Sequence, residues 1–140
     1  MGNIKSKGVQ KMLCSNIGIN KSGHLTFAGV DTVQLAGHYK TPLYLMDEGR
    51  IRENCRLYMK TMKRVFGPSS FPLYASKAAS FKHIYEIMQD EQMAIDVVSS
   101  GEIATAKRAG FSMDRAFFHG NNKTDADISY AMACGVGFFV

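Results

Sequence analysis

Met93-Ala94-Ile95-Asp96-Val97-Val98, running straight into Ser99-Ser100-Gly101-Glu102, decides the fold. A short apolar, β-branched run bounded by cap residues predicts a buried strand over 93–98. Ser99 with Glu102 makes a capping-box pattern for a helix over 102–109, and Gly110 stands where that helix should stop. The unit recurs on both sides. Phe71 to Tyr74 reads as a strand before a helix over 81–89 that Ser80 can cap. Arg115 to Phe118 reads as a strand before a helix over 125–134, opened by Thr124, Asp125 and Asp127 and closed by Gly135. Upstream, Leu43-Tyr44-Leu45-Met46 reads as the first strand. Asp47 then reads as the N-cap of a helix whose apolar stripe is Ile51, Cys55, Tyr58, Met59, Met62, Val65 and Phe66. Arg50, Arg56, Lys60, Lys63 and Arg64 read as its solvated face, and Gly67-Pro68 ends it. Val136-Gly137-Phe138-Phe139-Val140 reads as a last buried strand. Strands alternating with helices predict an α/β fold on a parallel sheet, with four to five β-α units, about half of a barrel.

Residues 17 to 30 differ. Ile17 and Ile19, a polar Asn20-Lys21-Ser22-Gly23 turn, then Leu25 and Phe27 predict a short β-hairpin. The expected division is therefore residues 1–40 as an N-terminal hairpin segment and 41–140 as the β-α part. The 140 residues, 46% hydrophobic and 21% charged, are enough for a real core. No stretch has the unbroken apolar length of a membrane helix, so a soluble, cytoplasmic protein without a membrane partner is expected. Cys14, Cys55 and Cys134 form no CxxC pair and read as reduced thiols. The net charge of +5 comes from residues 1–40, with 5 Lys+Arg against 1 Asp, while residues 41–140 hold 12 against 11. That excess is sparse and lacks interleaved aromatics, which excludes a nucleic-acid footprint. Met1-Gly2-Asn3-Ile4-Lys5-Ser6 fits an N-acylation pattern formally, but reads more simply as a frayed start.

Chemistry concentrates where strands end. Tyr74-Ala75-Ser76-Lys77-Ala78 puts a lysine at the C-terminal end of an apolar strand, where β-α proteins place their active sites. A desolvated lysine amine is a nucleophile suited to imine formation; position alone also fits a lysine reaching into solvent. The next strand ends supply Asp96, Ser99 and Glu102, then His119-Gly120-Asn121-Asn122-Lys123. A parallel sheet would gather carboxylate, imidazole, amides and amine at one mouth, a set suited to proton transfer. Ser99 and Glu102 are equally explained as caps, and the asparagines suit a turn. Asp96 interrupts a buried strand and needs a partner. No Walker loop, GxGxxG, GxSxG or HExxH spacing is present, so nucleotide, serine-hydrolase and metal chemistries fit poorly.

These residues carry a resemblance. Gly29-Val30-Asp31-Thr32 with Leu35-Ala36, Thr41 to Glu48, Tyr74 to Ala78, Asp96 to Glu102 and His119 to Lys123 resemble, in order and approximate spacing, the N-terminal part of the diaminopimelate decarboxylases. These belong to the alanine-racemase-like pyridoxal-phosphate enzymes. The likeness implies the first units of a (β/α)8 TIM barrel, with the hairpin normally part of a β-domain. It implies that Lys77 holds pyridoxal 5'-phosphate as an imine and is the catalytic residue. Ala75 then lies beside the cofactor, Asp96 near it, Glu102 at a second acidic position and His119 in a cofactor-side motif. The implied reaction converts meso-diaminopimelate to L-lysine and carbon dioxide, in a homodimer. The family's stacking histidine, glycine-rich phosphate loop, EPGR-like segment and CESGD segment have no equivalent in these residues, and Ser100 replaces a common glycine. The expectation is thus an N-terminal fragment, inactive alone. Two alternatives stay open: a non-catalytic truncated barrel acting by association, or an ornithine or arginine decarboxylase, which the HGNNK segment disfavours.

Overall fold

The computed structural model describes residues 14–140, so the acylation pattern and Lys5, Lys7 and Lys11 lie outside the described residues. The chain divides into two units, one ending at Glu48 and the other spanning Gly49–Val140.

In the first unit, β1 (Ile17–Ile19) and β2 (Leu25–Phe27) form the expected antiparallel hairpin, Gly18 facing Thr26. The turn is held by the Asn20 side chain, which accepts from the Ser22 and His24 amides, and by Gly23, whose φ of 79° a side chain would disfavour. Two further elements were not expected from the sequence pattern: β3 (Val30–Asp31) pairs with β2, and α1 (Thr32–Tyr39) begins on the Asp31 carboxylate as N-cap. Leu43–Met46, expected as a strand, joins no ladder. Tyr44 in it is 93% exposed. An apolar run encodes a preference for burial and not the neighbour a strand must pair with.

The second unit opens with α2 (Glu48–Phe66), preceded by Asp47, whose carboxylate accepts from Asn16 within the first unit. Four parallel strands come next, in the order of the chain: β4 (Leu73–Ala75), β5 (Ala94–Val97), β6 (Ala116–Phe118) and β7 (Phe138–Phe139). Helices α3 (Lys82–Asp90), α4 (Ser100–Arg108) and α5 (Asp125–Cys134) connect them. Paired residues of a parallel ladder share a face. Tyr74, Ile95 and Ala116 form one row, with Ile95 and Ala116 buried, and the row Val97 and Phe118 lies on the same face, also buried. Against that face α3 sends Ile84, Tyr85, Ile87 and Met88, α4 sends Ile103 and Ala106, and α5 sends Ala131 and Cys134. Each fully buried large side chain is worth about 1.5–3 kcal/mol relative to exposure.

The predicted stops hold: Gly67, Gly110 and Gly135 all have positive φ just after their helices. Other expectations need correction. Ser80 does not cap α3; Phe81 occupies the N-cap without a side-chain bond, and the Ser80 hydroxyl pairs with the Tyr85 phenol at 2.9 Å. Glu102 does not close a capping box, because its carboxylate accepts from the Val98 amide instead of Ser99, while Ser99 does cap α4. The apolar stripe of α2 is only partly used. Cys55 is buried and Ile51 and Met59 pack on the core, but Tyr58, Val65 and Phe66 are exposed, since the helix outruns the cluster it meets. Arg56 is more than a solvated residue: its guanidinium grips Glu91 at 2.6 and 2.7 Å, tying α2 to the end of α3 and holding the Glu91 carboxyl below its usual range. All three cysteines are free thiols. No described helix is long and apolar enough to cross a membrane.

Candidate functional site

The second face of the sheet carries the candidate residues. Ala75, Asp96, Phe117 and Phe138 are successive ladder partners and so form one row near the C-terminal strand ends. Asp96 stands on this face at the penultimate position of β5. One residue past β6, His119 donates its backbone amide to Val97 O at 2.9 Å, which extends the ladder and returns its side chain to the same face. Its Nδ1 bonds the Asp96 carboxylate directly. A carboxylate that interrupts a buried strand thus has its partner, as its cost of burial requires. The Asp96 side chain is 22% exposed and the imidazole 41%, so the pair is only partly buried.

Lys77 lies two residues beyond Ala75, exposed, on a one-turn helix (Ser76–Ala78) that begins as soon as β4 ends. Strand exits of a parallel sheet open on one side, so Lys77, Ala75, Asp96 and His119 occupy neighbouring strand ends of one rim. Ser76 beside it is fully buried, and its hydroxyl has no hydrogen-bond partner. Tyr74 lies just before the turn, and its hydroxyl donates to Ala79 O at 2.9 Å.

The remaining sequence candidates go elsewhere. Ser99, Asn121, Asn122 and Lys123 border a separate cavity of about 260 Å³ with Asp127, and none of the four residues above lines it. The Lys123 amine is committed to the backbone: it donates to Gly120 O and Val140 O, both at 2.5 Å, and stands 5.3 Å over the ring of buried Phe118. Glu102 serves the Val98 amide. Asp127, which the sequence offered only as a helix-start charge, completes a capping box with Thr124 and also accepts from the Ser100 hydroxyl. Those bonds, Ser100 first, hold its carboxyl below the ordinary value. The Ser100 bond joins the first turn of α4 to the first turn of α5. What the sequence did not announce is the Tyr74 bond to Ala79 and the Asp127 bond to Ser100; the S/T-x-x-D pattern at Thr124 could have flagged the capping box.

Residues 48–140 match the family described as "Pyridoxal-dependent decarboxylase, pyridoxal binding domain". The chain is 44% identical over 125 residues to a diaminopimelate decarboxylase of Halalkalibacterium halodurans, covering 87% of this chain and 28% of that protein. It is 43% identical over 122 residues to one of Methanothermobacter thermautotrophicus, covering 86% and 28%. Its fold matches the crystal structure of diaminopimelate decarboxylase from M. jannaschii in complex with L-lysine, with a TM-score of 0.76 and 29% identity over 89% of this chain and 29% of that one. The chain thus spans little more than a quarter of the relatives it matches, corresponding to their N-terminal barrel portion.

Proposed function

Because this chain belongs to the pyridoxal-dependent decarboxylases through their pyridoxal-binding domain, we propose that it forms the lysine-bearing part of a diaminopimelate decarboxylase. The reaction is the removal of carbon dioxide from meso-diaminopimelate to give L-lysine, in the cytoplasm and by a homodimer. The observation that carries the reading is the rim itself: Lys77 at the exit of one strand and a bonded Asp96–His119 pair at the exits of the next two.

The donor set fits pyridoxal 5'-phosphate. Lys77 offers an exposed amine to hold it, and Ala75 leaves only a methyl group beside the rim. Asp96 and His119 supply polar contact on the same face as Ala75. When bound, that cofactor supplies an aldehyde for amines and a ring that takes up electrons as carbon dioxide leaves. The chain's own residues do the rest. The Asp96 carboxylate accepts the Nδ1–H of His119, which fixes the ring plane and leaves Nε2 as the nitrogen able to take or give a proton. Phe117 and Phe138, stacked at 4.2 Å, close the other end of the row with apolar surface. The substrate is inferred from the relatives' activity; the M. jannaschii enzyme was crystallised with L-lysine.

Reductive trapping tests the proposal. The chain is incubated with pyridoxal phosphate and borohydride, alone and with the downstream part of a full-length relative added in trans, and the modified lysines are mapped by mass. Labelling should fall on Lys77 over Lys60 and Lys82, most strongly in the complemented sample. Equal labelling of the three, or an unchanged signal after Lys77→Ala, defeats the assignment.

A further inference from the structure

The turn that presents Lys77 has no side-chain cap at its own start, where Ala75 makes no such bond. What spans it is Tyr74. The ring is half-buried and packs on the core formed by the sheet and its helices. Its hydroxyl donates to Ala79 O at 2.9 Å, joining the last strand positions to the residue just after the turn. Ser76, Lys77 and Ala78 are therefore enclosed in a loop closed by one phenol. Burial pushes that phenol's pKa up, which keeps its proton available for donation. Beyond the turn, the Ser80 hydroxyl and the fully buried Tyr85 phenol form a second, separate anchor at 2.9 Å.

We propose that Tyr74 is a positioning residue for Lys77, its phenolic hydrogen bond to Ala79 fixing the backbone turn from which the reactive amine extends. The hydroxyl's hydrogen-bond partner is the Ala79 carbonyl, so its action on Lys77 is exerted through the turn. A covalent attachment point gains from such fixing because an amine held in one place loses less freedom on reaction. The inference rests on Lys77 being the cofactor-holding lysine. It also separates the two tyrosine contacts: the Ser80–Tyr85 bond lies outside the turn and should leave the amine untouched.

The experiment uses the whole chain and two readouts. Formaldehyde with cyanoborohydride measures how fast Lys77 is methylated relative to Lys60 and Lys82 in the same molecule. Amide hydrogen exchange at Lys77 and Ala78 measures the turn without any cofactor. Tyr74→Phe keeps the ring and removes the hydroxyl; it should speed exchange at both amides and change the Lys77 rate relative to the two reference lysines. Ser80→Ala should change neither. Wild-type exchange and rates in Tyr74→Phe would overturn the proposal. Should that variant not fold, the wild-type Ala79 carbonyl carbon should still show an isotope shift when the phenolic proton is replaced by deuterium, and no shift would also overturn it. Failure of the lysine assignment itself is read separately, by pyridoxal phosphate labelling that does not favour Lys77 in the wild-type chain.

Discussion

The two units of this chain are held by different physics. Every buried residue described lies at Cys55 or beyond, so the unit ending at Glu48 has partly buried positions and no enclosed core among its described residues. Its organising centre is one carboxylate. Asp31 accepts from Asn20 Nδ2 at 2.7 Å, His24 Nδ1 at 2.9 Å and the Val33 and Gln34 amides at 2.8 and 3.3 Å, which joins hairpin turn, β3 and α1 at a single side chain. The unit from Gly49 onward encloses a continuous apolar cluster between sheet and helices. A polar hub depends on its state of charge, whereas an apolar core depends on volume.

The contrast can be broken or sharpened by substitution. The largest effect is expected from Ile95→Ala, because Ile95 is fully buried in the middle of β5. It should cost about 2–5 kcal/mol in urea unfolding followed by circular dichroism; a cost under about 1 kcal/mol would mean the core is not the main support. Gly137→Ala comes next. An added Cβ would stand 2.0 Å from Asp114 O, a backbone atom that cannot swing aside, so about 1–3 kcal/mol should be lost in the same measurement. Ser76→Ala has the opposite sign. Removing a buried hydroxyl with no partner should raise the unfolding midpoint, by about 1 kcal/mol of stability. The smallest effect is local and belongs to the polar hub. The Asp31 carboxyl is held below its ordinary value, chiefly by the bond to His24. A depressed carboxyl lends stability that is complete above the ordinary value of 3.8 and lost as pH falls below it toward the lowered one. The Val33 and Gln34 amide shifts should therefore move in that acid range, and in Asp31→Asn the acid transition should vanish.

Much of this was legible in the sequence because it is local. The hairpin turn, the β-α rhythm from Phe71 onward and the glycine stops each depend on residues within a few positions of one another, and these appear as expected. The α/β half-barrel class came from that rhythm. Pairing was less legible. Leu43–Met46 has the composition of a strand and no ladder, while Val30–Asp31 has little composition to announce it and pairs. Side-chain direction was less legible still. Lys123 reads as a rim amine in His119 to Lys123, but nothing in that segment announces that it donates to two backbone carbonyls and lays its charge over the Phe118 ring. The Asp96–His119 contact was anticipated only as two groups converging on one mouth. Their bond depends on the parallel register that places Asp96 opposite Phe117, which no single segment encodes.

The row Ala75, Asp96, Phe117, Phe138 has one more consequence. Taken sideways across the strands, it changes from a methyl to a charge to two rings already pressed face to face at 4.2 Å and 7°. Each ring turns one flat surface to the other. The aromatic surface of the row is thus gathered at its β6–β7 end, and the opposite end, at β4, carries only a methyl, so the sheet has a built-in sense of left and right.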